Sequence, residues 1–191
     1  VEEDRPHEFR DGGVRPDAEF GHVVGVPADL VGAGFGVAGK AALEVRSDTR
    51  VVVVSRLTNV AANGTFGQWM PGVGLADAVT RDRPVPLLHL RQREGRYRTN
   101  LTYANLGEQT ATVVVELFST DGTRLDHHEV TVEPGELVQE LEPFETLAGK
   151  PDLGWGFAVV SVEGSAEGIV VTASVIDSRT NDATTVLPEP L

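Results

Sequence analysis

The chain contains no cysteine, which excludes disulfides, zinc–thiolate centres and cysteine nucleophiles. Aromatic residues make up only 6% of its 191 residues, with two tryptophans, two tyrosines and a single methionine beside them. Lysine is nearly missing, with Lys40 and Lys150 the only two among 16 basic residues. Long apolar runs are missing too. The longest, Val51 to Val54 and Val113 to Val115, have the length of strands, so no membrane insertion is expected. No basic stretch followed by an apolar one opens the chain, and a secretory signal is therefore either absent or already removed. Positive charge is outweighed by 29 acidic residues, giving a formal net charge of −13. Such a surface repels phosphate backbones and anionic lipid, so neither nucleic acid nor a membrane surface is an expected partner.

What is present points to a packed β protein. The chain is 40% hydrophobic and 24% charged, with 21 glycines, 11 prolines and abundant Val and Thr. That mixture favours short strands joined by many turns. The length suffices for one large or two small domains. Many bacterial exported proteins dispense with cysteine, whereas eukaryotic secreted domains more often carry a bridge, so the composition leans towards a bacterial source without fixing the compartment.

One unit recurs along the chain. Phe9-Arg10-Asp11-Gly12 parallels Phe118-Ser119-Thr120-Asp121-Gly122, and Ala41 to Val45 parallels Ala158 to Val162. Val51 through Asn59 and Asn63 then tracks Ile169 through Asp177 and Asn181. The strand-rich stretch Tyr97 to Leu117 has no counterpart in the first copy. The expected organisation is a polar arm at 1–15, an incomplete first unit at 16–74, a linker at 75–86 and a complete second unit at 87–191. Within it, Phe20 to Val26 reads as a strand. Ala41 to Arg46 and Arg50 to Asn59 read as a hairpin turning at Ser47-Asp48-Thr49, and Thr65 to Met70 as a strand after the tight-turn pair Asn63-Gly64.

In the second unit the expected strands are Leu87 to Gln92, Tyr97 to Asn105, Thr110 to Phe118, Arg124 to Val132, Leu137 to Leu141, Trp155 to Glu163, Gly168 to Asp177 and Thr184 to Leu187. One helical turn is expected at Pro143 to Ala148. The first two of these strands flank the turn Arg93 to Arg96, and 155–163 is expected to pair with 168–177. The fold class is all-β, two immunoglobulin-like β-sandwich units in tandem with the opening strands of the first missing.

Several strings carry a resemblance. Arg98-Thr99-Asn100-Leu101 with Tyr103-Ala104-Asn105-Leu106-Gly107, Val130 to Gly135 and Ala173 to Thr180 resemble immunoglobulin-like repeat modules of secreted or cell-surface bacterial proteins. Ser55 to Asn59 followed by Asn63 to Gln68 resembles the same modules. The resemblance implies a tandem module of an exported protein, and it brings no catalytic residues with it.

Candidate sites are sparse. No Gly-x-Ser-x-Gly elbow exists, and His7, His22, His89, His127 and His128 lie near no nucleophile motif. His127 and His128, if on a strand, point to opposite faces and do not share an ion. The acidic loops Asp121-Gly122 and Asp177 to Asp182 offer oxygen ligands for Ca²⁺, but turn chemistry accounts for both, and no cofactor or metal is expected. The aromatics Trp69, Tyr97, Tyr103 and Trp155 read first as core or sheet-edge anchors, and they could also line a sugar-binding platform; Trp69 and Trp155 are its candidate residues, the expectation for a carbohydrate-binding accessory domain of a secreted hydrolase. The leading expectation is a non-enzymatic structural or adhesive module, appended to a larger exported protein or assembled into an extracellular filament. A protein partner or neighbouring subunit, in a homo-oligomer in the second case, would complete the first sheet.

Overall fold

The computed structural model describes residues 42–62, 64–164 and 166–189. The expected arm at 1–15, the strand at 20–26 and most of the first unit's opening lie outside the described residues. All the described strands belong to one compact unit, Glu44–Leu191.

The period-2 alternation of apolar residues decides which side of each strand is buried. In β5 (Ala111–Ser119), Ala111, Val113, Val115 and Leu117 are buried and the residues between them are not. In β8 (Gly156–Val162) the buried set is Gly156, Ala158, Val160 and Val162. In β9 (Ile169–Asp177) it is Ile169, Val171 and Ala173. The remaining members are β3 (Val85–Leu90), β4 (Tyr97–Asn105), β6 (Arg124–Val132), β7 (Leu137–Leu141) and β10 (Asp182–Val186). They form two antiparallel four-stranded sheets, β10-β9-β4-β7 and β3-β8-β5-β6. The inner faces share one core containing Leu87, Leu101, Tyr103, Phe144 and the residues just named. The chain is thus an all-β sandwich.

Connections differ from expectation in an instructive way. β5 and β6 do form a hairpin across Asp121-Gly122, where Gly122 has φ +84°. Asp121 accepts hydrogen bonds from the Ser119 hydroxyl and the Thr123 N–H, which hold its pKa down to about 2. Strands 85–90 and 97–105, however, do not pair. β3 joins β8, and β4 lies between β7 and β9 in the other sheet. Likewise β8 and β9 lie in different sheets. A strand with one strongly apolar face is satisfied either beside its neighbour or across the core from it. Alternation alone does not choose between the two.

Segment 75–86 is woven into the sandwich. A 3-10 turn at Leu75–Asp77 leads to Ala78 and Val79, both buried, and the Val79 N–H donates to the Ile169 carbonyl at 2.8 Å. At the same rim Asn105 is fully buried. Its amide donates to the carbonyls of Gln109 and Val132, and its side-chain oxygen accepts from the Gly107 N–H.

The first-unit sequence contributes one hairpin, β1 (Val54–Ala61) with β2 (Gly64–Pro71), with Ala61 paired to Gly64. The expected hairpin around Ser47-Asp48-Thr49 is not formed. Residues 42–50 are exposed throughout and carry no strand, and the alternating Leu43 and Val45 stay about half exposed.

Candidate functional site

β3 carries a bulge that builds the candidate site. Leu87 pairs with Ala158 and Leu90 with Gly156, so two residues, Leu88 and His89, oppose one on β8. His89 takes φ +59°, a left-handed conformation that costs a non-glycine residue on the order of 1 kcal/mol. The bulge shifts the alternation by one place. Leu90 and Gln92 are buried beyond it, while Arg91 turns towards the ring of Tyr97.

Arg91 is the centre of this corner. Its guanidinium carbon lies 3.7 Å from the Tyr97 ring centroid and 4.1 Å from that of Trp155. His89 meets Trp155 edge to face at 6.3 Å. The Arg91 Nε is buried and makes no hydrogen bond, and no carboxylate pairs with the side chain among the described residues. Asp177 and Asp182, at the facing ends of β9 and β10, complete a cleft of about 360 Å³. That volume is within the range of small-molecule sites. One oxygen of Asp177 is engaged by the Arg179 N–H at 2.9 Å. Trp155 remains 45% exposed.

Trp69 and Trp155 do not form the expected joint platform. Val175, Thr184 and Val186 line the Trp155 cleft, on the core-facing side of β9 and β10. Their neighbours Ser174 and Thr185 point the other way, and it is they that receive the Gln68 amide, at 2.7 Å and 2.9 Å. The hairpin bearing Trp69 therefore packs on the outer face of the sheet and Trp155 on the inner side. Sequence reading groups Tyr97 with Trp155 but misses Arg91 and His89 as their companions. The bulge that unites them leaves no signature beyond an interrupted alternation in Leu87-Leu88-His89-Leu90.

A second polar group closes the opposite side of the sandwich. His128 on β6 has Nδ1 2.6 Å from Asp126 and Nε2 2.9 Å from Glu140 on β7. Glu140 also accepts from the hydroxyl of buried Tyr103 at 2.6 Å. The bond to Glu140, offset in part by burial and reinforced by Asp126, raises the His128 pKa above its ordinary value. Burial, with the Glu140 charge beside it, pushes the Tyr103 phenol well up. His127 faces Glu116 instead, 3.8 Å away, so the two histidines point apart as their spacing requires. No group of three or more metal-ligating side chains is found among the described residues.

A larger hollow among the described residues, of about 520 Å³, is lined by Leu75, Arg83, Leu106, Glu108, Gln109 and Glu167 among others. It brings no aromatic ring or histidine to bear.

The fold is an all-β sandwich that carries, among its described residues, a cleft of small-molecule size at one corner. The chain matches no family model and no curated protein sequence. Among solved structures it is similar to Thermotoga maritima 1070, at 17% identity and TM-score 0.45, with 60% of this chain and 97% of that one covered. It is also similar to the Anabaena sensory rhodopsin transducer, at 16% identity and TM-score 0.40, covering 54% of this chain and 95% of the other.

Proposed function

We propose that this protein is a non-enzymatic, exported structural or adhesive β-sandwich module that acts through a protein–protein interface at β1. One observation carries the reading. Among the described residues β1 pairs with β2 on one side only, and it is exposed along its described side chains, with Val60 78% and Leu57 59% exposed. The Gly72 N–H donates to the Val53 carbonyl at 2.8 Å. Hydrogen-bonded pairs alternate in an antiparallel ladder, so the backbone groups of Val54, Arg56, Thr58 and Val60 face the open edge. An apolar, unpaired edge of this kind is a template for a strand from a neighbouring subunit.

Light scattering on the full chain tests this. The expected result is a concentration-dependent species heavier than the 20.4 kDa monomer. Thr58→Pro, which removes an outward N–H without breaking the hairpin ladder, is expected to abolish it while leaving the sandwich folded. A monomer at every concentration, with rapidly exchanging β1 amides, overturns the reading.

A second reading, a carbohydrate-binding accessory domain, is favoured by the half-exposed Trp155 ring set in a cleft of polar side chains.

A further inference from the structure

We infer that the corner cleft binds a single neutral sugar unit, stacked on Trp155 and hydrogen-bonded between Arg91 and Asp182; this rests on the carbohydrate reading and deepens it. Three properties of the cleft converge on that ligand class. The first is an aromatic face. Arg91 covers one face of Trp155 at 4.1 Å and the residue as a whole stays 45% exposed, so a sugar would take the ring surface that the guanidinium leaves uncovered. The C–H face of a pyranose is a natural cover for such a ring, apolar in the middle and polar at its margin.

The second is a mixed set of donors and acceptors. Arg91 brings only donors, and no described carboxylate pairs with it. Asp177 and Asp182 bring only acceptors, and among the described residues no side chain is bonded to either carboxylate. An anion entering the cleft would meet two carboxylates, and a cation would meet a guanidinium already in place over both rings. A neutral ligand whose groups both donate and accept satisfies both sides, and a hydroxyl does both. The protein's net charge of −13 further disfavours acidic sugars.

The third is that the cleft is prepared before any ligand arrives. The left-handed His89 in the β3 bulge holds its ring edge-on to Trp155, and the rings of Tyr97 and Trp155 hold the guanidinium in turn. Side chains fixed in this way lose little freedom on binding. Strain retained at such a corner is characteristic of binding sites.

The experiment uses the full chain carrying Trp69→Phe, so that Trp155 is the one remaining indole. Its emission is followed during titration with D-glucose, D-galactose, D-mannose and N-acetyl-D-glucosamine, with D-glucuronic acid as the acidic comparison. Isothermal calorimetry runs in parallel. The expected result is a saturable change in Trp155 emission with one of the neutral sugars, at a Kd on the order of 1 mM, as roughly a dozen heavy atoms at modest efficiency provide. Glucuronic acid is expected to bind at least about tenfold more weakly, and Asp182→Asn to weaken the neutral sugar about tenfold. Asp182 is exposed at the strand end, so this variant keeps its fold even if Trp155→Ala does not.

Calorimetric binding that leaves Trp155 emission unchanged and is indifferent to Asp182→Asn overturns the assignment of the cleft while leaving the carbohydrate reading intact. Glucuronic acid binding as well as the neutral sugars overturns the neutral-ligand assignment. No heat and no emission change at a hundred times the expected Kd overturns both the site and the reading it rests on.

Discussion

His128 on β6 and Glu140 on β7 meet at 2.9 Å, joining the edge strand of one sheet to the edge strand of the other. The ladder hydrogen bonds run within each sheet, so on this side a side-chain pair does what the ladders cannot. Asp126 at 2.6 Å holds the far side of the ring, which leaves both imidazole nitrogens engaged with carboxylates.

That arrangement gives stability a pH dependence. The folded pKa of His128 is raised above its ordinary, unfolded value of about 6.5. Its contribution is therefore fully present below about pH 6.5 and is lost as pH rises through the folded value. The group is only partly buried, so solvent screening keeps the effect modest. The melting temperature of His128→Gln is expected to fall furthest below that of the parent near pH 5 to 6, where the carboxylates are still ionised. The gap is expected to narrow as pH climbs. Thermal melts of both proteins at half-unit pH steps check this, and a gap that widens with pH contradicts it.

Tyr103→Phe isolates the other half of the same group. Tyr103 is fully buried, and its hydroxyl donates to Glu140 at 2.6 Å. Losing a hydrogen bond to a charged acceptor costs about 1.5 to 3 kcal/mol. Because His128 shares that carboxylate, the double variant with His128→Gln is expected to deviate from additivity by at least about 0.5 kcal/mol. Urea denaturation of the four proteins of the cycle measures it.

The expected boundaries of β6 and β7, 124–132 and 137–141, match the strands as found. Both are bracketed by turns whose chemistry is local, Asp121-Gly122 on one side and Glu133-Pro134-Gly135-Glu136 between them. Pairing was the part that stayed hidden. Nothing in Gly164 to Glu167 distinguishes a hairpin from a crossing, and the crossing is settled by contacts far away in sequence, such as Val79 with Ile169. Trp155 stands out in the sequence as one of two tryptophans, and the structure leaves it 45% exposed. Its companions Arg91 and His89 do not stand out, since Arg91 reaches it only through a one-residue bulge opposite Phe157. The assignment of 75–86 as a linker drew on Gly72, Gly74, Pro84 and Pro86, yet two small apolar residues within it, Ala78 and Val79, are buried.

Gly107→Ala is expected to be among the more damaging small substitutions. A Cβ there would press on the Glu167 carbonyl, and backbone has little room to give. The neighbouring Gly168 N–H and carbonyl region is held by the bond from the Leu106 N–H to the Gly168 oxygen at 3.0 Å, so the two loops would have to separate. A loss of about 2 to 4 kcal/mol is expected, comparable to a severe overpacking change. Gly122→Ala provides the contrast. It has open space around it but φ +84°, and its cost is expected to stay near 1 kcal/mol. Equal losses at the two positions, measured by urea denaturation, would refute the steric account.

Gln68 is the hinge between the hairpin and the sandwich. Its amide donates to Ser174 at 2.7 Å and Thr185 at 2.9 Å, and the Thr185 hydroxyl donates to the Trp69 carbonyl at 2.5 Å. All three bonds attach β2 alone, and β1 overhangs with Leu57 on the same side as Gln68 and still exposed. Gln68→Ala removes two neutral hydrogen bonds of about 1 kcal/mol each from that attachment. The core strands do not depend on them, so the global melting temperature is expected to change by only a few degrees. Local opening is different. The amides of β2 are expected to exchange about ten- to thirtyfold faster, while those of β5 and β8 keep their protection. Hydrogen exchange followed by NMR separates the two regions. Uniform acceleration across β2, β5 and β8 would mean that the hairpin unfolds with the sandwich as one unit, and it would remove the basis for treating β1 as an independently exposed edge.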